Sequence, residues 1–239
     1  MLKNKKVLII GGTSGFGFEV AKGVLQLGGQ VVIVGYQQVR LDAAVEELEK
    51  YLTNISGVAF DATDQNELQT FVERYAPFDH VISTLGGAMS GGFLEASLAT
   101  IRDTIEGKLF TNLMVAQQVI PHINQGGSLI FTSGTGGHPA NASGAIIGNQ
   151  AINTMVQGLA IEAAPRVRVN AVAPTWTPTG LWRGLGEQEL QTQIDQVGQA
   201  TPLKRVAAPA EVASGYLYLM QNEFITGEVL KIDGGTNAL

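Results

Sequence analysis

The chain has 239 residues, 45% of them hydrophobic and 15% charged, with 30 glycines, no cysteine and a net charge of −6. That length and apolar fraction suit one large α/β domain with a substantial core. An acidic balance without a Lys/Arg block argues against nucleic acid or an anionic membrane as partner, and the lack of cysteine excludes disulfides, thiolate chemistry and Cys-based metal sites. The composition fits a cytoplasmic protein, and the low charge density points to a homodimer or homotetramer with much of its surface covered.

The first residues, Met1 to Lys6, are basic and then apolar, but the apolar run 7–10 ends at Gly11-Gly12. It is too short for a signal segment or a membrane span and reads as a buried strand. Short β-branched runs follow at 6–10, 31–35, 58–60, 80–84, 128–133, 168–173 and 229–232. Continuous apolar strands imply burial on both faces and so a parallel sheet. Between them lie helical patterns at 15–27, 41–52, 65–75, 100–123, 145–163 and 210–220. The alternation predicts a doubly wound Rossmann fold: a seven-stranded parallel sheet with helices on both faces, in one domain spanning 1–239. Only 175–201, rich in Trp, Thr, Gly and Gln, departs from it and reads as a substrate loop or lid.

Gly11, Gly15 and Gly17 fall directly after the first strand and open the first helix. Glycines let the backbone turn tightly and approach a pyrophosphate, which then meets the unpaired N–H groups of the helix N-terminus. Thr13 and Ser14 add hydroxyls, and Phe16 completes the loop. Asp61-Ala62 ends the third strand, where a carboxylate can take an adenine amino group; Thr63 or Asp64 is the better N-cap for the helix that follows. Tyr36 ends the second strand where NAD-specific sites carry an acid. Arg40, four residues on, is placed to reach a 2′-phosphate or to lie in solvent, so NADP is favoured over NAD.

These features, with Arg168-Val169-Asn170-Ala171-Val172-Ala173-Pro174, Thr179, Pro202-Leu203-x-Arg205, Pro209-x-Glu211-Val212-Ala213, Ile225-Thr226-Gly227 and Asp233-Gly234-Gly235, resemble the short-chain dehydrogenase/reductase family over nearly the whole chain. The resemblance implies an NAD(P)-dependent oxidoreductase in which Asp61 serves adenine, Thr179 binds the nicotinamide carboxamide, and the tail supports the substrate pocket and subunit interface. It also implies a Tyr-x-x-x-Lys pair on the helix after the fifth strand. Those positions fall here on Ala145 and Asn149, and no tyrosine occurs between Tyr75 and Tyr216. Asn149 remains able to bond the cofactor ribose. The family's Asn-Asn-Ala-Gly reads Ser83-Thr84-Leu85-Gly86, its Pro-Gly reads Pro174-Thr175, and its catalytic serine falls near Thr132-Ser133-Gly134.

The family's catalytic asparagine falls on Lys108, the only lysine between Lys50 and Lys204. Ile101, Ile105, Val115 and Val119 recur at spacings that put Lys108 on their apolar stripe, facing the core or a cleft. Burial would lower its pKa toward neutrality, making it a proton donor or a charge for a developing alkoxide; alternatively it snorkels over apolar surface. Ser133, at the carboxyl edge of the sheet, is placed to hold a substrate oxygen or to cap a turn. His138, in the glycine-rich loop 134–144, has the intrinsic pKa for proton transfer, though it lacks a visible partner. Trp176 and Trp182 would wall an apolar pocket, or pack a lid or an oligomer contact. His80 and His122 read as structural, and no cluster has metal-ligand spacing. Three readings follow: an oxidoreductase acting on a carbonyl, an alcohol or an enone of a small apolar molecule; a non-catalytic dinucleotide sensor or scaffold; and a lyase or isomerase on the same scaffold.

Overall fold

A computed structural model describes residues 2–51 and 54–238. Seven parallel strands form one sheet in the order β3-β2-β1-β4-β5-β6-β7, where β1 is Lys6–Ile10, β2 Gln30–Gly35, β3 Ile55–Ala59, β4 Phe78–Ser83, β5 Ile123–Thr132, β6 Val167–Pro174 and β7 Val229–Ile232. The expected doubly wound sheet is present. Alternate residues of each central strand feed two separate cores. On one face Leu8, Ile10, Leu129 and Phe131 meet α3 (Gln65–Tyr75), α5 (Thr111–Val119) and α6 (Ser143–Ala163). On the other, Val7, Ile9, Ile82 and Ile130 meet α1 (Gly15–Gln26), α2 (Gln38–Glu49) and α8 (Pro209–Gln221). Strand order reverses between β1 and β4, which opens a crevice at their carboxyl ends.

Several boundaries differ from expectation. The expected helix 41–52 ends at Glu49, and its last position, Leu52, lies outside the described residues. The third strand is Ile55–Ala59 and not 58–60, because an edge strand needs no continuous apolar run; Phe60 instead stacks on Phe71 at 4.9 Å. β5 starts at Ile123, earlier than the apolar run 128–133 suggests, since Asn124 to Gly127 are mostly exposed and polar. The helix expected over 100–123 is divided. α4 (Leu98–Ile105) passes into a π-helical turn, Glu106–Phe110, before α5 resumes and ends in a 3-10 turn, Ile120–His122. The excursion 175–201 carries a 3-10 turn, Gly180–Trp182, and α7 (Glu187–Ala200).

The buried polar side chains of the strands find partners, except that the Arg168 Nε has none among the described residues. The Arg168 guanidinium donates to the carbonyls of Leu219, Met220 and Ile225, closing the C-terminal end of α8. His80 Nδ1 lies 2.9 Å from Ser128 Oγ on the adjoining strand. Burial, helped by the Arg168 charge, pushes the His80 pKa down from 6.5 to about 4. The unfolded chain therefore binds a proton in this window that the folded chain refuses, so stability is intact above pH 6.5 and falls as the pH drops toward about 4. The full loss is about 3 kcal/mol. Urea titrations over that range should show this slope in the wild type and a flatter profile in His80→Gln; equal slopes would refute the assignment.

Candidate active site

The carboxyl edge of the sheet holds a cavity of about 440 Å³ at the β1/β4 crevice. The glycine loop forms one wall. Gly11 turns with φ +89° under Thr84, whose Oγ1 would lie 2.2 Å from a Cβ at that position. A Cβ on Gly17 would meet the Gly11 carbonyl at 2.4 Å, so only glycine lets α1 pack against the turn. Ser14 is the N-cap of α1, yet its side chain makes no capping bond, and no acid occupies the first turn. The free N–H groups and the partial positive charge there fit a phosphate.

The floor is built around Lys108. The residue is only 8% exposed and lies in the π-helical turn. Such a turn changes which side chains face inward and leaves backbone groups needing new partners. Asn112, fully buried, meets that need: its Nδ2 donates to the Lys108 carbonyl at 2.7 Å and to the Leu85 carbonyl at 3.3 Å, while its Oδ1 accepts from Ser83 Oγ. The lysine stem runs between two glycines. A Cβ on Gly148 would stand 2.8 Å from Lys108 Cβ and 2.7 Å from Cδ; one on Gly86 would stand 3.2 Å from Cγ. The Nζ donates to Asn149 Oδ1 at 3.0 Å. Desolvation pushes the ammonium down from 10.5 to about 8.

Ser133 is buried on the cavity edge, with its Oγ donating toward Asn153 Oδ1 at 2.6 Å and lying 3.1 Å from the Asn149 carbonyl. Its proton is thus engaged by α6, and the side chain fixes that helix beside β5. Trp176 and Trp182 face one another at 5.4 Å along the far wall, with Met89, Leu85 and Leu181 nearby in the lining. Thr179 also lines the cavity, its Oγ1 accepting from the Leu181 N–H. The cavity's charged residues are Arg40, Lys108 and Arg183, and among the described residues no carboxylate and no tyrosine joins them. Tyr216 is fully buried, its hydroxyl 2.6 Å from Thr132 Oγ1, and burial pushes its pKa up.

The structure therefore gathers Gly11, Thr13, Ser14, Gly15, Phe16, Arg40, Lys108, Ser133, Asn149 and Thr179 around one cavity. It does not gather His138, which is exposed, its Nδ1 accepting from the Ala140 N–H within a tight local turn. Tyr36 is 73% exposed and does not line the cavity. Asp61 also lies outside it, accepting from the Thr63 N–H and hydroxyl, while Ala62 is buried beneath the α3 core. Asp64 is the N-cap of α3. Sequence reasoning missed Gly148, Asn112 and Arg183. A glycine inside a helix is unfavourable and marks close approach, and Asn112 stands one helical turn from Lys108; both signals were present.

A family model described as enoyl-(acyl carrier protein) reductase matches residues 11–237. The chain is 31% identical to short-chain dehydrogenase/reductase fsr5 of Gibberella fujikuroi, over 98% of this chain and 95% of that protein. It is 30% identical to tropinone reductase-like 3 of Erythroxylum coca, over 98% and 93%. Among solved structures, the MalC reductase/Diels-Alderase from Malbranchea aurantiaca superposes with a TM-score of 0.89 at 25% identity, covering 100% of this chain and 98% of that one. An actinorhodin polyketide ketoreductase with NADPH superposes at 0.87, with 23% identity over 99% and 98%. Among the described residues no helix is long and apolar enough to cross a membrane, and no group of acidic or histidine residues has the makings of a metal site. A chain with this sheet, this glycine loop and these relatives belongs to the short-chain dehydrogenase/reductase family of NAD(P)-dependent oxidoreductases.

Proposed function

We propose that this protein is an NADP(H)-dependent reductase of small, fairly apolar carbonyl compounds, with Lys108 as the proton donor. One observation carries the proposal: the Lys108 Nζ is buried in the same cavity as the glycine loop and, among the described residues, is bonded only to Asn149. A bound nicotinamide supplies a hydride to the substrate carbon. Gly11, Thr13, Ser14, Gly15, Phe16 and Gly17 would hold its pyrophosphate, Asn149 and Thr179 its nicotinamide half, Arg40 and Tyr36 its ribose phosphate, and Asp61 and Ala62 its adenine. Lys108 donates to the substrate oxygen as negative charge develops there, and Asn149 orients the ammonium. Ser133 acts by holding the segment of α6 that carries Asn149. Trp176 and Trp182, on the excursion 175–201, form the apolar substrate wall, and that excursion serves as a lid. Polarisation of an oxygen serves enone reduction equally well, which suits the description of the matching family model.

Exposed Leu98, Phe110, Ile147 and Ile161 supply apolar surface for a homodimer or homotetramer. The proposal keeps a cytoplasmic location and a small-molecule substrate, with neither nucleic acid nor membrane as partner. One observation favours a second reading, a dinucleotide sensor: no tyrosine stands between Tyr75 and Tyr216. The third reading, a lyase or isomerase on the same scaffold, draws support from the likeness to the MalC reductase/Diels-Alderase.

The readings separate on turnover. NADPH oxidation with a panel of ketones and enones should be fast in the wild type and fall at least about 100-fold in Lys108→Met. In the reductive direction kcat/KM should fall as pH rises through about 8, where the ammonium loses its proton. Lys108→Met should also raise stability at neutral pH by about 3 kcal/mol, since the wild type keeps a charge buried that its ordinary pKa would place in water. Stabilisation by NADPH without turnover on any substrate would favour the sensor.

Two further substitutions test the assembly. Gly148→Ala should displace the lysine stem, lowering kcat more than it raises the KM for NADPH and costing about 1–3 kcal/mol of stability in denaturant titrations. Arg40→Ala should raise the Kd for NADPH by about tenfold and leave NADH almost unchanged; equal losses for both would remove Arg40 from 2′-phosphate recognition.

A further inference from the structure

Lys108 is a proton donor when charged, yet its surroundings suit a free amine. The residue is 8% exposed and lines the cavity of about 440 Å³. Bare α-carbons border both its stem and its head: besides Gly148 beside the stem, a Cβ on Gly86 would stand 3.5 Å from the Nζ itself. Among the described residues the Nζ has one hydrogen-bond partner, Asn149 Oδ1 at 3.0 Å, and no salt bridge. An ammonium with three hydrogens to place is poorly served there. A neutral amine fits better, because Asn149 takes one N–H and the lone pair stays unused.

The charged groups nearby do not hold the ammonium either. The cavity's other charged residues, Arg40 and Arg183, are also cations. Of the helices packed on the π-helical turn, α5 carries no charge, α4 carries Arg102 and Asp103, and α6 carries Glu162; these three, and Glu106 of the turn itself, are exposed. Burial alone pushes the Lys108 pKa down to about 8. Asn149 adds a second element. Its Nδ2 makes no hydrogen bond among the described residues and sits against Gly134, where a Cβ would stand 2.7 Å from it. The amide thus gives an acceptor to the amine and keeps an unused donor for an oxygen beside it.

We propose that Lys108 is also a nucleophile, whose free amine captures small, apolar aldehydes and unhindered ketones in the cavity as an imine. The nitrogen attacks the carbonyl carbon as the C=O π bond opens, and one of its hydrogens passes to the oxygen. The C–O bond of this carbinolamine then breaks, and the second nitrogen hydrogen leaves with the hydroxyl as water. One amine and one carbonyl give one imine and one water, with no oxidant or reductant. Asn149 Oδ1 orients the nitrogen, and its Nδ2 holds the oxygen. An imine draws electrons from the adjoining carbon, which then can lose a proton or a substituent. That is the chemistry a lyase or isomerase on this scaffold needs, and it requires nothing from a nicotinamide. Capture uses the residue of the proton-donor reading in the opposite protonation state, and neither depends on the other.

Wild type, Lys108→Arg and Lys108→Met are incubated with benzaldehyde and sodium cyanoborohydride, which reduces an imine to a stable benzylamine. Peptide mass mapping locates the adducts and separates Lys108 from any α-amino group, whose ordinary pKa is similar. At pH 8 about half of Lys108 is free amine, against under about 1% of an ordinary exposed lysine. Lys108 should therefore be benzylated roughly tenfold or more faster than the other lysines, with a rate that rises as pH passes through about 8. Both variants should lack this adduct, and the preference should vanish in urea-unfolded protein. Labelling of Lys108 no faster than that of the exposed lysines would overturn the proposal, as would a preference that survives unfolding. The two roles fail separately. Loss of NADPH-dependent reduction in Lys108→Met with no wild-type adduct removes only the imine. A wild-type adduct with reduction intact in Lys108→Met removes only the proton donor.

Discussion

A β-strand buried on both faces can present polar groups only where it ends. That constraint organises the molecule. β1, β4, β5 and β6 are largely apolar, hold their few buried polar side chains (His80, Ser128, Arg168, Asn170) in internal hydrogen bonds, and deliver Gly11, Thr84, Ser133 and Thr175 at a common edge. Their parallel direction aligns those ends, and the reversal of strand order between β1 and β4 parts the flanking helices there. The cavity is the unfilled space that results, and its lining comes from loops that the core does not restrain.

Charge is distributed against the average of the chain. The protein carries a net charge of −6, yet the charged groups of its cavity are three cations. Such a site concentrates field on an anionic ligand while the outer surface remains acidic. Lys108 is the most costly of the three. A core that required only filling would be better served by methionine. The π-helical turn, Asn112, Gly86 and Gly148 instead combine to hold an amine where water is scarce, at a pKa near the working range of a proton donor.

The seven parallel strands, the glycine loop and the inward face of Lys108 were legible because each follows from local periodicity or from a turn that only glycine accepts. The burial of Lys108 could be read from the stripe of Ile101, Ile105, Val115 and Val119. The break in that helix could not, since no proline or glycine pair marks it and the π-helical turn is held by a tertiary hydrogen bond from Asn112. His138 and Asp61 had suitable chemistry but uninformative positions. Loop geometry turns His138 outward, and Thr63 engages Asp61 locally. Arg183 was invisible because its partner, Ser14, is 169 residues away.

The π-helical turn has a consequence for how such a site changes over time. It amounts to one extra residue in an otherwise α-helical run. Deleting a residue within Glu106–Phe110 would let α4 and α5 join as a regular helix, rotating one relative to the other by about 100°. The amino acid facing the cavity would change without any substitution, and Lys108 would move off the face that meets Gly148. The side chain presented to the cavity at this position is therefore set by helix register as much as by residue type. Insertions and deletions in this short stretch are a route to new chemistry that point mutations do not reach.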